Sequence, residues 1–342
     1  MLCFCITDEF KLGVWDSVSK IKDPSLVELS ASLPNLLLNS MAHSTSTKYA
    51  YGWNRWKNWC KSKIGVKYLP AEPMFVALYL RHLLDTAKTS SPIDTALYSI
   101  RWGHTMAGLP SPTDHPFVKS AYDGCRRISS KPRICKEPVQ PSMLEQLVRT
   151  HGGDDASLAD LRLLFIVLVG YAGFLRISEI LAMQVKHIEF LPEGMSIYLP
   201  KRKNDQFRLG SKVFIARSNN ITCPVAISQR LLAILPDGSD SSNPVVRRIK
   251  LCKNVKTFHE SRGISYTTAK ELIKKGLGVF YDDLSKLGTH SLRSGGASDP
   301  GCVQLSDFAL QRHGGWKCTT SKNKYIHPSK SQLFEVSSSL SL

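Results

Sequence analysis

The chain has 342 residues, a length that suits two domains better than one. Hydrophobic residues make up 42% of it, which is enough to build real cores and excludes a disordered protein. The formal net charge is +17, from 45 Lys and Arg residues against 28 Asp and Glu residues. This excess favours a polyanionic partner, nucleic acid above all, over a merely soluble basic protein.

The cysteines and the longest apolar run indicate the compartment in which the protein is expected to be found. Nine cysteines are scattered without a Cys-x-x-Cys pair, which predicts reduced thiols in an intracellular compartment and no zinc site or disulfide framework. The apolar run from Leu163 to Leu175 is too short to span a bilayer and predicts a buried core helix. The N-terminus lacks the basic region of a secretory signal.

The first part of the chain predicts a small all-α domain. Residues 1–30 have weak periodicity, and we assign no function to this N-terminal extension. Residues 31–128 contain four predicted helices, the first of which Ser44-Thr-Ser46 can cap. The helices begin near Ser44, Pro73, Ser91 and His115. The first carries one apolar stripe, formed by Tyr49, Trp53, Trp56 and Cys60.

A basic linker separates this domain from the second. Residues 129–141 contain three prolines and several cations, which makes them stiff and the best domain boundary in the chain. Residues 142–342 mix helices with strands, so the fold class is mainly α with a small β-sheet. Strands are predicted at 188–199 and 212–215, around a polar turn at 201–210. Helices are predicted from Ser142, at 160–173, after Pro224, around 266–276, from Thr289 and after Ser306.

Three segments of the second domain could carry chemistry. The first is Gly173–Glu179, where Arg176 follows the buried helix and Glu179 comes three residues later, close enough to orient the guanidinium. Taken alone, this spacing is more typical of an ordinary helix-surface ion pair.

The second segment is Thr289–Ala297. His290 and Arg293 are three residues apart, so they share one face of a helix near its start. Thr289 can cap this helix, and a helix N-terminus attracts phosphate. A solvated helix face is the alternative interpretation.

The third segment runs from His313-Gly-Gly-Trp316 to Tyr325. Tyr325 lies in a basic stretch, Lys322–Pro328, whose cations favour attack by its phenol oxygen. The alternatives are a core tryptophan and a surface tyrosine beside lysines.

Together the three segments supply what cleavage of a DNA phosphodiester requires without a metal. Guanidinium groups can hold the non-bridging oxygens, on which charge accumulates in the transition state. A general acid must protonate the leaving 5′-oxygen, and a covalent nucleophile conserves the bond energy for religation.

The order Arg-x-x-Glu, His-x-x-Arg, His/Trp and Tyr resembles the tyrosine recombinase (phage integrase) family. The intervals from Arg293 to Trp316 and from Trp316 to Tyr325, 23 and nine positions, are also similar to those of the family. The resemblance covers roughly 31–342 and includes the helical domain, which is similar to the family's core-binding (SAM-like) domain. The sequence most resembles the eukaryotic and mobile-element members of the family in three stretches, Ser99–His104, Gly108–Pro116 and Arg312–Lys317.

The resemblance implies a role for each matching residue. Tyr325 attacks and becomes joined to a DNA 3′-phosphate, while Arg176 and Arg293 hold the scissile phosphate. His290 donates to that phosphate or moves a proton. Trp316 fills the family's second His/Trp position, where an indole N–H donates but cannot titrate.

The family's general acid is a lysine on a β-hairpin. Residues Pro200–Gln206 resemble that hairpin, which points to Lys203, with Lys201 as the second choice and a phosphate-gripping turn as the alternative. Glu179 supports Arg176, and His313 lies next to the site without a catalytic role. No metal and no small-molecule cofactor is implied.

The implied partner is double-stranded DNA. The resemblance implies that both domains close around the DNA as a C-clamp, with the linker along the DNA backbone. It also implies that four copies of the chain assemble as a homotetramer on two DNA sites. Leu333, Phe334 and Leu340 of the tail could pack on a neighbouring protomer. The expected location is intracellular, and nuclear in a eukaryotic host. The cations predicted to contact DNA are Lys48, Arg55, Lys57, Arg101, Lys131, Arg133 and Lys201.

The sequence departs from the family at one segment, and two other functions are alternatives to recombination. Asp299-Pro-Gly-Cys302 falls where the family keeps an Ala-rich helix, and a proline inside a helix costs about 3 kcal/mol or more unless the helix ends there. A domesticated DNA-binding protein without catalytic activity is therefore the main alternative. A type IB topoisomerase shares the chemistry, but the helical N-terminal domain argues against it.

Overall fold

A computed structural model describes residues 9–132, 134–205, 207–236, 240–302, 305–328 and 330–340. The chain divides into two compact units, Met1–Arg133 and Ile134–Leu342, at a point inside the predicted linker. The mainly helical fold class with small sheets is confirmed. None of the helices in the described ranges is long and apolar enough to cross a membrane.

The first unit contains five α-helices in its described part, one more than predicted. They are α1 (Pro24–Leu38), α2 (His43–Lys61), α3 (Pro73–Thr86), α4 (Ser91–Met106) and α5 (Pro116–Ser129). Helix α1 crosses the predicted boundary between extension and domain, and its apolar residues are too continuous to show a helical stripe. The described end of the extension also joins this unit, because Trp15 is buried and its indole N–H donates to Met106 O at 2.7 Å.

The core of the first unit is aromatic. Trp53, Trp56 and Cys60 are fully buried, as the predicted stripe requires, and Tyr49 is half-buried beside them. The predicted cap of α2 is wrong: Ala42 precedes the helix without a side-chain cap, and the Ser46 hydroxyl instead donates to Leu38 O.

The second unit is built around one buried helix. Its α-helices are α6 (Pro141–His151), α7 (Leu158–Ala172), α8 (Ile177–Leu181), α9 (Pro224–Ala233), α10 (Tyr266–Leu277), α11 (Thr289–Ala297), α12 (Asp307–Gly314), α13 (Thr319–Asn323) and α14 (Lys330–Ser338). Every residue of α7 from Leu161 to Gly170 is buried, and α6, α9 and α11 pack against it. The apolar run therefore forms a core helix, as predicted.

The strands form two antiparallel sheets. The first sheet contains β1 (Ile188–Leu191), β2 (Gly194–Leu199) and β3 (Ser211–Ala216), and the second contains β4 (Arg247–Cys252) and β5 (Val255–Gly263). The segment 188–199, predicted as one strand, is a hairpin. The pair β4–β5 was not predicted, because cations interrupt its apolar residues. Its turn places Lys253 and Asn254 in the left-handed region, at φ 48° and 65°.

Candidate active site

A cavity of about 450 Å³ in the second unit is lined by residues from distant parts of the chain. The six residues predicted to be catalytic all line it: Arg176, Lys203, His290, Arg293, Trp316 and Tyr325. The other lining residues are Leu175, Ile177, Ser178, Asn204, Tyr266, Thr289, Ser321 and Lys324, and none of the described residues that line the cavity is acidic. The cavity is therefore suited to an anion.

Arg176 reaches the cavity through a sharp turn after α7. Phe174 adopts a left-handed conformation, φ 48°, so the chain reverses and Arg176 becomes the residue that precedes α8. Glu179 accepts from the Arg176 backbone N–H and from its guanidinium, both at 2.8 Å. Because both side chains are nearly buried, this pair fixes the guanidinium direction more firmly than an ordinary surface ion pair would.

Arg293 is fully buried, and two of its guanidinium nitrogens donate to carbonyl groups. Its guanidinium donates to Phe174 O and, at 2.6 Å, to Gly314 O, while its buried Nε has no partner among the described residues. Burial lowers the pKa of this guanidinium to about 10, and the nearby Arg176 adds to the shift. The group stays protonated at neutral pH, with a positive charge that carbonyls do not neutralise.

Helix α11 carries both His290 and Arg293 and begins at Thr289, as predicted, but its cap differs from the prediction. Gly288 precedes the helix, and its N–H donates to the Ser291 hydroxyl at 3.0 Å, so Thr289 is not the cap. Thr289 is instead buried, and its hydroxyl lies 3.0 Å from the Tyr266 hydroxyl. His290 is exposed at the cavity, with its ring centroid 6.1 Å from that of Tyr325.

Trp316 and Tyr325 pack against Arg293. The guanidinium carbon of Arg293 lies 4.3 Å from the Trp316 ring centroid and 5.0 Å from that of Tyr325. Trp316 is only 5% exposed, and within the described structure its buried indole N–H has no hydrogen-bond acceptor. A buried donor without an acceptor is costly, so this N–H is available for a ligand oxygen.

The loop between β2 and β3 presents Lys203 to the cavity. Lys201 and Lys203 are exposed, but only Lys203 lines the cavity. Arg202, between them, is 5% exposed and points inward, with one guanidinium nitrogen 3.5 Å from His313 O. Asp205 closes the loop by accepting from the backbone N–H groups of Leu209 and Gly210. Gln206 lies outside the described residues.

His313 lies behind the cavity and does not line it. Its Nε2 is 2.8 Å from Ala172 O, and its ring packs edge-on against Phe174. Burial lowers the pKa of this imidazole, so it is neutral at neutral pH. His313 thus lies next to the cavity without lining it, and the absence of a catalytic role for it stays a prediction.

The Asp299–Cys302 departure does not interrupt a helix. Helix α11 ends at Ala297, before the proline, and residues Pro300–Cys302 form a single 3-10 turn. The Asp299 carboxylate accepts from the Tyr171 hydroxyl at 2.7 Å and from the Gly301 N–H at 2.9 Å. The proline therefore carries no helix penalty here, and the segment is tied to α7.

The predicted DNA contacts differ in their accessibility. Lys57 is only 8% exposed, with its ammonium over the Tyr68 ring, and is thus poorly placed for a phosphate. Arg101 is half-exposed and paired with Asp114. Arg133 lies outside the described residues. The other candidates are exposed, namely Lys48, Arg55, Lys131 and Lys201.

Several residues at the site were not identified from the sequence. Arg202 could have been found, because a residue between two exposed neighbours in an extended loop points to the opposite side. Tyr266 offers no such signal, since only the tertiary fold brings it to Thr289. In the basic stretch before Tyr325, Lys324 lines the cavity, but Lys322 is buried and pairs with Asp307.

The chain is similar to known proteins along most of its length. An integrase/recombinase xerD homolog from Selenomonas ruminantium is 24% identical over 327 residues, which cover 94% of this chain and 93% of that protein. No protein-family model matches the chain.

Two solved structures share the fold. The XerH site-specific recombinase bound to its palindromic difH substrate has a TM-score of 0.59 at 12% identity, over 99% of this chain and 94% of that one. A lambda integrase dimer bound to a COC′ core site has a TM-score of 0.52 at 13% identity, over 84% and 89%. The chain, in which ordered Arg, His, Arg, Trp and Tyr residues surround one cavity, is thus similar in sequence to an integrase/recombinase homolog and shares the fold of these two DNA-bound proteins.

Proposed function

We propose that the protein exchanges strands between specific sites in double-stranded DNA through a covalent 3′-phosphotyrosyl intermediate. The observation that carries the proposal is the convergence of Tyr325 with Arg176 and Arg293 around one cavity that lacks acidic side chains among its described lining residues. A phosphodiester is the anion that these groups would bind and cleave.

Each group has one task in the proposed reaction. The Tyr325 hydroxyl loses its proton, which His290 accepts where it acts as the base, and its oxygen attacks the phosphorus as the bond from phosphorus to the 5′-oxygen breaks. The guanidinium groups of Arg176 and Arg293 and the indole N–H of Trp316 donate to the non-bridging oxygens, which gain charge in the transition state. Lys203 protonates the leaving 5′-oxygen, and His290 donates to the phosphate or moves a proton. In religation, a 5′-hydroxyl attacks the phosphotyrosine and releases the tyrosine.

DNA binding draws on exposed cations of both units, since phosphate contacts fix the position of a protein on DNA. Lys48 and Arg55 lie in the first unit, Lys201 in the second, and Lys131 in the linker. Assembly as a homotetramer on two DNA sites is part of the proposal. Its support is the tail, where Leu333, Phe334 and Leu340 are more than half exposed. An intracellular location, nuclear in a eukaryotic host, and an origin in a mobile element remain predictions.

The test is covalent trapping on a nicked substrate, from which the short fragment released by cleavage diffuses away and prevents religation. We expect wild-type protein to form an adduct that survives denaturing electrophoresis and the Tyr325→Phe variant to form none. Both proteins should bind the same DNA with equal affinity. DNA binding by wild type without any adduct would overturn the proposal and favour the domesticated DNA-binding protein. Relaxation of supercoiled DNA that lacks a recombination site would favour a topoisomerase.

A further inference from the structure

Ser298 connects the helix that holds the phosphate-binding arginine to the segment that carries the nucleophile. It follows the last residue of α11, and its hydroxyl makes two hydrogen bonds to the chain around Tyr325. The hydroxyl donates to Tyr325 O at 3.1 Å and accepts from the His327 N–H at 2.8 Å. The single oxygen thus binds the backbone on both sides of Ile326.

These bonds act where the chain has no regular structure. Helix α13 ends at Asn323, α14 begins at Lys330, and the described residues between them belong to neither. The Tyr325 backbone N–H bonds locally to Lys322 O at 2.9 Å, which leaves the direction of the following residues open. Ser298 supplies the long-range partner that an adjacent strand would otherwise provide.

Ile326 explains why this direction matters. Its side chain and the Tyr325 ring both pack against a small apolar cluster that includes Ala297 and Trp316, and the Tyr325 ring also lines the cavity. Two hydrogen bonds on either side of Ile326 fix the backbone next to Tyr325, and they therefore fix the point from which the Tyr325 ring reaches the cavity. The tether is rigid at its other end, because Ser298 N–H donates to Ser294 O within α11 at 2.9 Å.

The geometry points to Ser298 as a positioning residue for the nucleophile: its hydroxyl holds the Tyr325 backbone in register with Arg293 on the same helix. The inference rests on the proposed function, because it assigns Ser298 a task only if Tyr325 attacks a phosphate. The Asp299–Cys302 departure then has a structural purpose. Ending α11 at Ala297 frees the Ser298 side chain for the tether, and Asp299 fixes the next turn on Tyr171.

The experiment measures single-turnover formation of the covalent adduct on the nicked substrate with saturating protein. Ser298→Ala removes both hydrogen bonds, and we expect cleavage to slow by roughly 5- to 100-fold, as for a misplaced reacting group. Ser298→Thr keeps the hydroxyl and should retain most of the rate. Ser228→Ala is the matched control, because it removes a buried hydroxyl of the same unit that bonds to Pro224 O away from the cavity.

Two further readouts separate positioning from general damage. DNA affinity should be unchanged in Ser298→Ala, because the arginines that hold the phosphate remain. A substrate with sulfur in place of the scissile 5′-oxygen should restore cleavage by Lys203→Ala, since a thiolate leaves without a proton, but should not restore cleavage by Ser298→Ala.

The outcomes are distinct. If wild type cleaves DNA and Ser298→Ala cleaves it at an equal rate, the positioning role of Ser298 is overturned and the proposed function stays intact. A slow Ser298→Thr variant that melts like wild type would also overturn it, because the hydroxyl would then not be what matters. Absence of cleavage by wild type would instead overturn the proposed function itself.

Discussion

The two units of the chain fill their interiors with different chemistry. The first buries aromatic rings: Trp53 and Trp56 are fully inaccessible and pack with Tyr68 and Tyr79. The second also buries guanidinium groups: four of its arginines are less than a tenth exposed, whereas no described arginine of the first unit is buried. The four are Arg162, Arg202, Arg247 and Arg293.

The buried rings of the first unit stabilise its fold, whereas the buried arginines of the second unit are groups that the fold must hold in place. Burying a ring releases apolar surface from water and stabilises the folded state. A guanidinium buried against carbonyls gains hydrogen bonds, but the carbonyls do not neutralise its charge, and burying a charge costs several kcal/mol. At Arg293 that charge lies at a cavity, where a phosphate can neutralise it.

The largest expected effect comes from removing that charge. We predict that Arg293→Met lowers the rate of covalent adduct formation by about a thousandfold or more, since each lost donor costs on the order of a hundredfold. Its free energy of unfolding should change by less than ~2 kcal/mol, because relief of desolvation offsets two carbonyls left without a donor. Arg162→Met is the control: Arg162 is also buried, at 7% exposed, but it does not line the cavity, so cleavage should remain within a few-fold of wild type.

The aromatic core should respond in the opposite way. Trp53→Ala should lower the free energy of unfolding of the first unit by about 3–5 kcal/mol, the usual cost of removing a large buried ring. Denaturant unfolding followed by circular dichroism measures this loss. Tyr51→Ala, two residues earlier and 70% exposed, should change stability little. Similar losses for both variants would mean that the rings do not stabilise the unit as described.

A smaller effect is expected at Gly315, which ends α12 in the left-handed region at φ 63°. A β-carbon here would lie 1.6 Å from a guanidinium nitrogen of Arg202. We predict that Gly315→Ala destabilises the second unit by about 1–3 kcal/mol and slows cleavage roughly tenfold, because Arg202 and Trp316 must shift. Gly65→Ala is the control, since Gly65 has a similar φ of 74° and a β-carbon there would meet no described atom within 4 Å.

The smallest effect is a dependence of stability on pH in the first unit. His104 is fully buried, its Nδ1 lies 2.8 Å from Ile100 O, and its Nε2 accepts from the Ala71 N–H at 3.0 Å. Protonation would break the second bond, and burial lowers the pKa of this imidazole. The unfolded chain therefore binds a proton near pH 6.5 before the folded unit does, so stability is complete above that pH and falls below it.

The expected slope is at most ~1.4 kcal/mol per pH unit between 6.5 and the lower folded pKa. Thermal unfolding from pH 8 to pH 5 measures it, and His104→Gln should unfold at lower temperature but with a flatter pH profile. An unchanged profile would show that His104 does not cause the dependence.

The sequence predicted those features that local signals specify. The prolines at the first turns of α3, α4, α5, α6 and α9 mark their starts, and the apolar run of α7 marks its burial. The motif residues indicated the site because their types and order reflect chemistry that no single helix or strand requires. Long-range contacts carried no such signal. The tether from Ser298 to Tyr325 spans 27 positions, and nothing near either residue indicates it.

Elements without a clean periodicity were missed for a related reason. Helix α1 has leucines on several sides, with Leu26, Leu29 and Leu36 more than half exposed, so no single stripe marks it. The strands β4 and β5 alternate cations with apolar residues on both faces of a two-stranded hairpin. In both cases tertiary packing decides the structure, and a local pattern does not.

The most direct test of the central claim is to locate the covalent bond. Wild-type protein trapped on a nicked substrate is digested with protease, and the peptide that retains the nucleotide is sequenced by mass spectrometry. We predict a single phosphotyrosyl linkage at Tyr325, joined to the 3′ side of the break. A linkage at any other residue, or to the 5′ side, would contradict it.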